Sequence, residues 1–352
     1  MNEINYNLLK QPHPLRPVRT STVIGAGSYL PKTRVRSAEI MQDIGTEKKY
    51  GLAHNWMENK MGIKERRMAK PNTKPSELAV KAALDLFNSL PDFNRQLIDA
   101  VIFCGIERDM PEPATAHIIQ NQLGLKASFT FDVANACYGF CQGVQLANCM
   151  ISAGTINHAL IITGETSTHV AQVIAEKLKQ GIQAAEAKHL WGILSVGDAG
   201  GAILMGPSDS SRQGFMNFCQ LSESQHHGLC QYQRNLDGSI DACMNMGHIL
   251  ARGLKLNKKI HTRMLKELNW KHVDWVLAHQ TGRTAFEHIH SLHGVDKNRV
   301  VKLYPTLGNI TTATLPISFK KLLASDSLKS GDKIAGLFAG SGLVAGQFGY
   351  VF

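Results

Sequence analysis

The sequence lacks any long hydrophobic run. No apolar stretch reaches the roughly 18 residues that a membrane-spanning helix requires. Residues 1–20 are polar, contain several prolines and lack the apolar core of a signal peptide. We therefore predict no membrane span, a cytoplasmic location and an N-terminal extension over residues 1–20.

The cysteines lack the spacing of a disulfide framework or a metal site. There are seven of them, an odd number, with no CxxC pair. Cys104, Cys141 and Cys149 lie inside apolar runs, as free cysteines in a reducing compartment do. This pattern excludes a small disulfide-rich fold, and we predict no metal.

The sequence also lacks a nucleic-acid-binding motif, although its net charge is +10. Most basic residues are dispersed, and aromatic residues do not alternate with them. A basic surface of this kind favours an acidic carrier protein or a phosphate-rich ligand over nucleic acid.

Strand and helix patterns alternate along the 352 residues, which suit two halves of similar size. A polar break lies near residues 206–213, after which the pattern starts again. We predict an α/β protein with a pseudo-repeat, divided into residues 21–206 and 207–352. Residues 170–188 are charged and are predicted to cross the surface as a mobile stretch, whereas 193–205 are predicted to form two strand pieces around a turn.

The stretch from Asp132 to Ala147 is the first candidate for chemistry. An apolar strand, residues 129–133, runs into a turn of small residues, and Cys137 then starts an apolar helix. The helix dipole there favours a thiolate, which is the nucleophilic form of cysteine. The alternative is a small buried core residue, because free cysteines are commonly buried.

Two more polar residues follow predicted strands. His279 ends the strand 273–278, and Asn309 precedes the helix 311–323. Ligands of α/β sheets sit at the carboxyl ends of strands, so a cysteine, a histidine and an asparagine there indicate a nucleophile with two partners. Alone, His279 would be a core histidine and Asn309 a helix N-cap. A papain-like protease shares the Cys-His-Asn order, but its nucleophile has a different sequence context.

Five motifs together resemble the ketoacyl-ACP synthase III branch of the thiolase-fold condensing enzymes over residues 20–352. The motifs are Asp132-Val-Ala-Asn-Ala-Cys-Tyr-Gly-Phe, Gly197-Asp-Ala-Gly-Gly-Ala, His279-Gln, Gly308-Asn-Ile-Thr-Thr-Ala and Gly340-Ser-Gly. The resemblance implies a five-layer αβαβα sandwich of two βαβαβαββ halves and a homodimer. It implies acyl-CoA or acyl-ACP substrates, an acyl carrier protein as partner and no permanently bound cofactor.

The resemblance also implies a mechanism. Cys137 takes an acyl group from a thioester and joins it to a second, malonyl-like or ketoacyl thioester by Claisen condensation. His279 and Asn309 hold the second thioester's oxygen, while the backbone N–H groups of Cys137 and Ser341 form the oxyanion hole. The expected role is in fatty acid or polyketide biosynthesis.

Residues for CoA or carrier binding follow from the same resemblance. Trp56 resembles the tryptophan that stacks on the CoA adenine, and Lys60 stands where an arginine usually contacts phosphates. The arginine that usually completes the stack is missing near residues 188–190. Basic side chains are also expected to contact CoA or a carrier protein: Arg252, Lys255, Lys259 and Arg283.

Two departures from the family pattern concern the substrate. Gly282 replaces the family's asparagine in the histidine motif.

The second departure is Glu112, which lies in a loop that reaches the partner subunit in relatives. Head-to-head condensing enzymes of olefin biosynthesis have a similar Glu-Pro segment, in which the glutamate is a base. Glu112 is therefore a candidate base across the dimer interface for a head-to-head or cyclising reaction without decarboxylation. The alternative is a loop carboxylate paired with Arg108.

Two further alternatives remain open on the same scaffold. The first is an acyltransferase that passes the Cys137 acyl group to an alcohol or amine, although such enzymes often lose the asparagine that Asn309 represents here. The second is a non-catalytic subunit of a heterodimer, although such chains usually lose the cysteine.

Overall fold

The computed structural model describes residues 20–237 and 239–352. The predicted N-terminal extension, residues 1–20, therefore lies outside the described residues except for Thr20. Among the helices described, none combines the length and the apolar character needed to cross a membrane.

Thirteen strands are described in residues 20–237 and 239–352. In chain order they are β1 (Ser21–Tyr29), β2 (Thr33–Arg36), β3 (Glu65–Met68), β4 (Ala100–Phe103), β5 (Phe129–Asp132), β6 (Ala159–Glu165), β7 (Ala199–Pro207), β8 (Gly214–Ser222), β9 (Cys230–Arg234), β10 (Ile240–Met244), β11 (Trp275–Ala278), β12 (Lys333–Gly340) and β13 (Val344–Val351).

Twelve α-helices are described in the same ranges. They are α1 (Ser37–Ile44), α2 (Thr46–Tyr50), α3 (Trp56–Met61), α4 (Pro75–Asn88), α5 (Thr115–Gln122), α6 (Gly139–Ser152), α7 (Thr168–Gln180), α8 (Ala184–Ala187), α9 (Met246–Leu268), α10 (Arg283–His293), α11 (Tyr304–Leu307) and α12 (Thr314–Leu323).

The two large sheets share one topology. The first has the order β1-β7-β6-β4-β5, with β4 parallel to β5 and β6, and with β7 antiparallel to β1 and β6. The second has the order β11-β12-β13-β8, in which β11 is parallel to β12, and β13 is antiparallel to both β12 and β8. A parallel bridge from Val276 to Val300, beside β11, takes the place of the fifth strand. The pseudo-repeat predicted from the sequence pattern is thus present in the strand order.

The helices form three layers around these sheets. The helices α4 and α5 cover the outer face of the first sheet, and α9 and α10 cover the outer face of the second. Between the sheets lie α6 and α12, which explains why α6 carries no charged residue and packs into the central apolar cluster. The predicted five-layer αβαβα sandwich is confirmed.

Two local predictions were wrong. Residues 168–180 form the helix α7, whose apolar side chains Val170, Ile174 and Leu178 are buried while its charged side chains face outward. Residues 193–195 form a short 3-10 helix before the single strand β7, not a strand piece. In both places an amphipathic or glycine-rich stretch is ordered by packing against the rest of the fold.

Candidate active site

The turn around Cys137 connects β5 to α6. Cys137 lies in a 3-10 helix, Ala136–Tyr138, that leads directly into α6. Ala136 has a φ of 44°, a left-handed conformation that is costly for a residue with a Cβ atom. Such a sharp turn at the end of a strand lifts the cysteine out of the ladder and toward the space between the two halves.

Asn309 is held by a close approach of two turns. Its N–H donates to the carbonyl of Ser195 at 2.8 Å, and its Oδ1 accepts from the N–H of Thr311 at 3.1 Å. Gly308 has a φ of 67°, and a Cβ there would lie 2.5 Å from the Ser195 oxygen. Glycine is therefore required at position 308 for the two turns to approach this closely. The amide nitrogen of the Asn309 side chain remains available to a ligand in the cavity.

His279 follows β11, as predicted. Its N–H donates to Leu337 at 2.9 Å, whereas its ring Nδ1 is buried with no partner among the described residues. The neighbouring Gln280 donates to the Val301 carbonyl at 2.5 Å and accepts from the N–H of Leu303 at 2.8 Å, which secures the turn. Because no protein group binds Nδ1, neither neutral tautomer of His279 is imposed.

One cavity of about 410 Å³ brings these three residues together. Cys137, His279 and Asn309 all line it, although they are far apart in the sequence. Most of the remaining wall is apolar and comes largely from α9, from the first half of α10, and from the end of β12 with the turn that follows it. A thioester that entered this cavity would meet the thiol, the imidazole and the amide in one space.

Burial determines the protonation of the thiol and the imidazole. Burial raises the pKa of the Cys137 thiol, and the nearby Cys230 and Glu165 raise it further. Burial lowers the pKa of His279 to about 4. Desolvation thus favours the neutral form of both groups in the free protein and opposes the thiolate that the helix dipole favours.

The glycine turn at the end of β12 lies against the Cys137 turn. A Cβ on Gly340 would be 2.9 Å from the Tyr138 nitrogen and 3.3 Å from the Cys137 nitrogen. Ser341, the next residue, lines the same cavity. The backbone of Gly340 is thus close to the backbone nitrogen of Cys137.

Two residues near the thiol were missed by sequence reasoning. Cys230, on β9, lines the cavity, and burial raises the pKa of its thiol while the Ser341 side chain opposes this. Glu165 is fully buried at the end of β6, and it accepts hydrogen bonds from the Thr312 hydroxyl and from the N–H of Ile106. A single carboxylate at the end of an unbroken apolar strand was a visible signal for Glu165, whereas nothing in the sequence places Cys230 beside Cys137.

The residues predicted for CoA or carrier binding fall into two groups. Trp56, Lys60 and Arg283 line the cavity, and Trp56 packs against Trp191 with ring centroids 6.4 Å apart. Arg283 also donates to the carbonyl of Asn59 at 3.1 Å, a favourable position for a cation at the C-terminal end of α3. The other three are exposed on α9 and are not part of the cavity wall: Arg252, Lys255 and Lys259.

Glu112 lies outside the cavity of its own chain. It is exposed in the loop between β4 and α5 and forms no ion pair with any described residue. Arg108, its alternative partner, lies 3.7 Å from Asp132 instead. Asp132 also accepts from the N–H groups of Thr115 and Ala116 at 2.9 Å, so this carboxylate ties the base of the Glu112 loop to β5.

Comparison with known proteins identifies the family. Residues 131–224 match the 3-oxoacyl-[acyl-carrier-protein (ACP)] synthase III family, and residues 265–348 match its C-terminal part. The acyl-CoA:acyl-CoA alkyltransferase of Xanthomonas campestris is 30% identical over 308 residues, which cover 85% of this chain and 88% of the relative. The chain belongs to the 3-oxoacyl-[acyl-carrier-protein] synthase III family.

Other relatives of this condensing enzyme agree in fold and length. The beta-ketoacyl-[acyl-carrier-protein] synthase III of Paramagnetospirillum magneticum is 24% identical and covers 93% of this chain and 97% of the relative. Cerulenin-bound OleA of Xanthomonas campestris superposes with a TM-score of 0.88 at 27% identity, covering 95% of this chain and 98% of that chain. OleA with bound lauric acid and lauroyl-CoA gives a TM-score of 0.87 at 27% identity, over 95% and 100% of the chains.

These comparisons confirm the predicted fold, family and enzyme class. The protein is a condensing enzyme of the ketoacyl synthase III type, an acyl-transferring enzyme that forms carbon–carbon bonds. Its family uses thioesters of CoA or acyl carrier protein in lipid biosynthesis.

Proposed function

We propose that this enzyme joins two fatty acyl thioesters head to head, with Cys137 as the nucleophile. The observation that carries the proposal is the single cavity that collects Cys137, His279 and Asn309. The 30% identity to an acyl-CoA:acyl-CoA alkyltransferase supports two acyl-CoA substrates. Solved OleA structures include variants of a cysteine, a histidine and a glutamate, the residue types proposed here for catalysis.

The first step loads the acyl group. The Cys137 sulfur attacks the carbonyl carbon of the first thioester, and the thiol proton moves to neutral His279. The N–H groups of Cys137 and Ser341 stabilise the oxyanion. The bond to the leaving sulfur then breaks, His279 protonates that sulfur, and the acyl group remains on Cys137.

The second step forms the carbon–carbon bond. Glu112 of the partner subunit removes a proton from the α-carbon of the second thioester, whose enolate oxygen is held by His279 and Asn309. The α-carbon attacks the acyl-cysteine, and the carbon–sulfur bond breaks to release the Cys137 thiolate. The proton that Glu112 removed from the α-carbon is given up to water, and the thiolate takes a proton from water, so that the thiol is restored. The product is a β-ketoacyl thioester with an alkyl branch at the α-carbon.

A decarboxylating condensation with a malonyl-like thioester is the second candidate. His279 and Asn309 would hold the enolate equally well when carbon dioxide leaves in place of a proton, and the synthase III relatives favour this reaction. Glu112 would then be dispensable. An acyltransferase acting on an alcohol or amine would need neither the enolate pocket nor Glu112.

We extend the proposal to binding and assembly. Trp56, Lys60 and Arg283 at the cavity wall suit the adenine and phosphates of CoA, and the exposed Arg252, Lys255 and Lys259 suit an acidic carrier protein.

The edge strand β5 begins at the exposed Phe129, and an exposed apolar side chain beside an unpaired edge favours a homodimer. All seven cysteines are free, which agrees with a cytoplasmic location.

Product analysis tests the reaction. The enzyme is incubated with fatty acyl-CoA alone, with acyl-CoA plus malonyl-CoA, and with an alcohol acceptor, while Cys137 acylation is followed by intact mass. We expect acyl-Cys137 and a β-keto product from acyl-CoA alone, without release of carbon dioxide. An ester product, or a ketone formed only from malonyl-CoA, would overturn the head-to-head reaction.

Mixed dimers test whether Glu112 acts across the interface. Neither C137S nor E112Q is expected to condense alone, but coexpressed subunits form heterodimers that pair one intact Cys137 with Glu112 of the partner subunit. We expect condensation to recover in the mixture and acylation to persist in E112Q. If the mixture stays inactive, Glu112 does not act across the interface.

A further inference from the structure

The cavity extends along one face of the long helix α9. Met246, Leu250, Gly253 and Asn257 recur every three to four positions, line the cavity, and thus lie on one side of the helix. At 1.5 Å per residue this wall is about 16 Å long. Gly253 is buried, yet no atom lies within 4 Å of a Cβ placed on it, so the cavity is open beside the middle of this wall.

One end of this cavity wall is polar. Asn257 is 7% exposed, and its Oδ1 is buried without a hydrogen-bond partner among the described residues. The fully buried Gln347 donates to the Asn257 carbonyl at 3.2 Å, and its own Oε1 lies 3.3 Å from Nδ1 of His261. The Asn257 backbone is thus held in place while its side-chain oxygen remains unpaired.

Three histidines, His261, His288 and His293, lie near Asn257 but are not part of the cavity wall. His261 follows Asn257 by one turn of α9, and His293 follows the cavity residue Ile289 by one turn of α10. The rings of His261 and His293 meet edge to face with centroids 4.2 Å apart. Both ring nitrogens of His293 and Nε2 of His288 are buried without partners in the described part of the chain.

This cluster suits a neutral ligand group. Burial lowers the pKa of His261 and of His288 and lowers that of His293 to about 3, so the imidazoles are uncharged. In residues 20–237 and 239–352 no group of three or more His, Cys, Asp or Glu side chains is arranged to hold a metal ion. An unpaired amide oxygen requires a donor, and neutral imidazoles offer both a donor and an acceptor. A hydroxyl group meets both needs.

We propose that the Asn257 end of the cavity is a hydroxyl-binding subsite, in which Asn257 belongs to the cavity wall and the His261–His293 pair lies one helical turn behind it. The substrate class it selects is an acyl thioester whose chain carries a hydroxyl far from the thioester. This inference rests on the proposed function, because it assumes that an acyl chain occupies the cavity. An unsubstituted chain would leave the buried amide oxygen and imidazole nitrogens unpaired, which is unfavourable.

Binding to the inert C137S protein tests the subsite. The probes are acyl-CoAs of graded chain length, each as an unsubstituted chain and as its terminal-hydroxy derivative, with dissociation constants measured by calorimetry. We expect one range of chain lengths in which the hydroxylated ligand binds about tenfold more tightly. Equal affinities at every length would overturn the subsite, and water would then be the occupant.

Variants locate the effect. Asn257→Leu, which has a similar volume and no polar group, should reduce the ratio of the two affinities to about one. His293→Phe should lower the ratio as well, and it replaces Asn257→Leu if that variant does not fold. Lys266→Ala, exposed on the same helix, is the matched control and should keep the ratio. A ratio that survives both subsite variants would overturn the assignment.

The outcomes separate this inference from the proposed function. If unsubstituted acyl-CoA acylates Cys137 in the natural protein but the hydroxyl has no effect, only the subsite is wrong. If no acyl-CoA acylates Cys137, the proposed function fails, whatever the binding data show.

Discussion

At the scale of single residues, burial controls the chemistry of the site more than local charge does. Burial raises the pKa of Glu165 from 4.5 to about 7, and hydrogen bonds from Thr312 and the Ile106 N–H oppose this only in part. Its Oε2 has no partner in the described residues. Glu165 is therefore a carboxyl group that the fold stabilises in its protonated form.

The Glu165 carboxyl should make stability depend on pH. Because its pKa is higher in the folded than in the unfolded state, the folded protein binds more protons, and stability falls as pH rises from about 5 to about 8, by up to about 3 kcal/mol. Glu165→Gln removes this titration and should leave a flatter profile that is more stable at the alkaline end. Urea unfolding across this range measures the effect, and parallel profiles for the two proteins would contradict it.

The depressed pKa of His279 predicts the acid limit of acylation. A neutral imidazole accepts the thiol proton, and this form is retained down to a pKa of about 4. The rate of Cys137 acylation should therefore not decline near pH 6.5, the ordinary histidine range. Intact-mass kinetics from neutral to acid pH test this, with circular dichroism as the folding control. A decline centred on the ordinary histidine pKa would show that His279 is more hydrated than its burial indicates.

At the scale of elements, the active site depends on turns that touch across the two halves. The turn before α6 and the end of β12 come from different halves of the chain, yet they meet at the Cys137 nitrogen. The left-handed conformations of Ala136 and Thr311 occur at equivalent turns, just before the helices between the sheets. The repeated topology thus places one strained turn from each half at the centre of the molecule.

Gly340→Ala should disrupt this contact. The added methyl group would meet backbone nitrogens at 2.9 and 3.3 Å and displace the backbone that is proposed to form the oxyanion hole. We expect acylation of Cys137 to slow by about 100-fold, the effect of losing one oxyanion donor, while the protein remains folded. Gly228→Ala is the control, because nothing lies within 4 Å of its added Cβ. Acylation at the natural rate in Gly340→Ala would argue against the oxyanion hole.

At the scale of the whole molecule, assembly is proposed to complete the site. The single chain contains Cys137, His279 and Asn309 in its cavity but leaves Glu112 exposed outside it. A homodimer through the β5 edge would give the Glu112 loop, which Asp132 ties to that strand, a position at the neighbouring subunit.

Phe129→Asp should weaken the dimer. Phe129 is 38% exposed in the single chain, so a charge there is tolerated by the subunit but not by an apolar interface. We expect light scattering to show a shift toward monomer, with condensation lost and folding retained. Leu84→Asp, at the 42% exposed Leu84 of α4, is the control for an added surface charge. A fully active monomer would mean that the site needs no second subunit.

The sequence by itself determined the fold class and the three central residues of the site. Strand–turn–helix patterns are local, and Cys137 and His279 follow apolar strands, where α/β proteins bind ligands. The prediction of a strand before Asn309 was wrong, because the short helix α11 precedes it. Reading along the chain failed at α7, whose buried apolar stripe is interrupted by charged residues of the outer face. Val170, Ile174 and Leu178 recur every four positions, so the helical period was present in the sequence, and the structure shows that this face is buried.

Only the tertiary structure decided the electrostatics and the shape of the cavity. The neutrality of Cys137 and His279, the approach of Glu165 and Cys230, and the polar end at Asn257 all arise from residues far apart in sequence. Desolvation and unpaired hydrogen-bonding groups depend on everything that surrounds a side chain, and a linear pattern does not specify that environment.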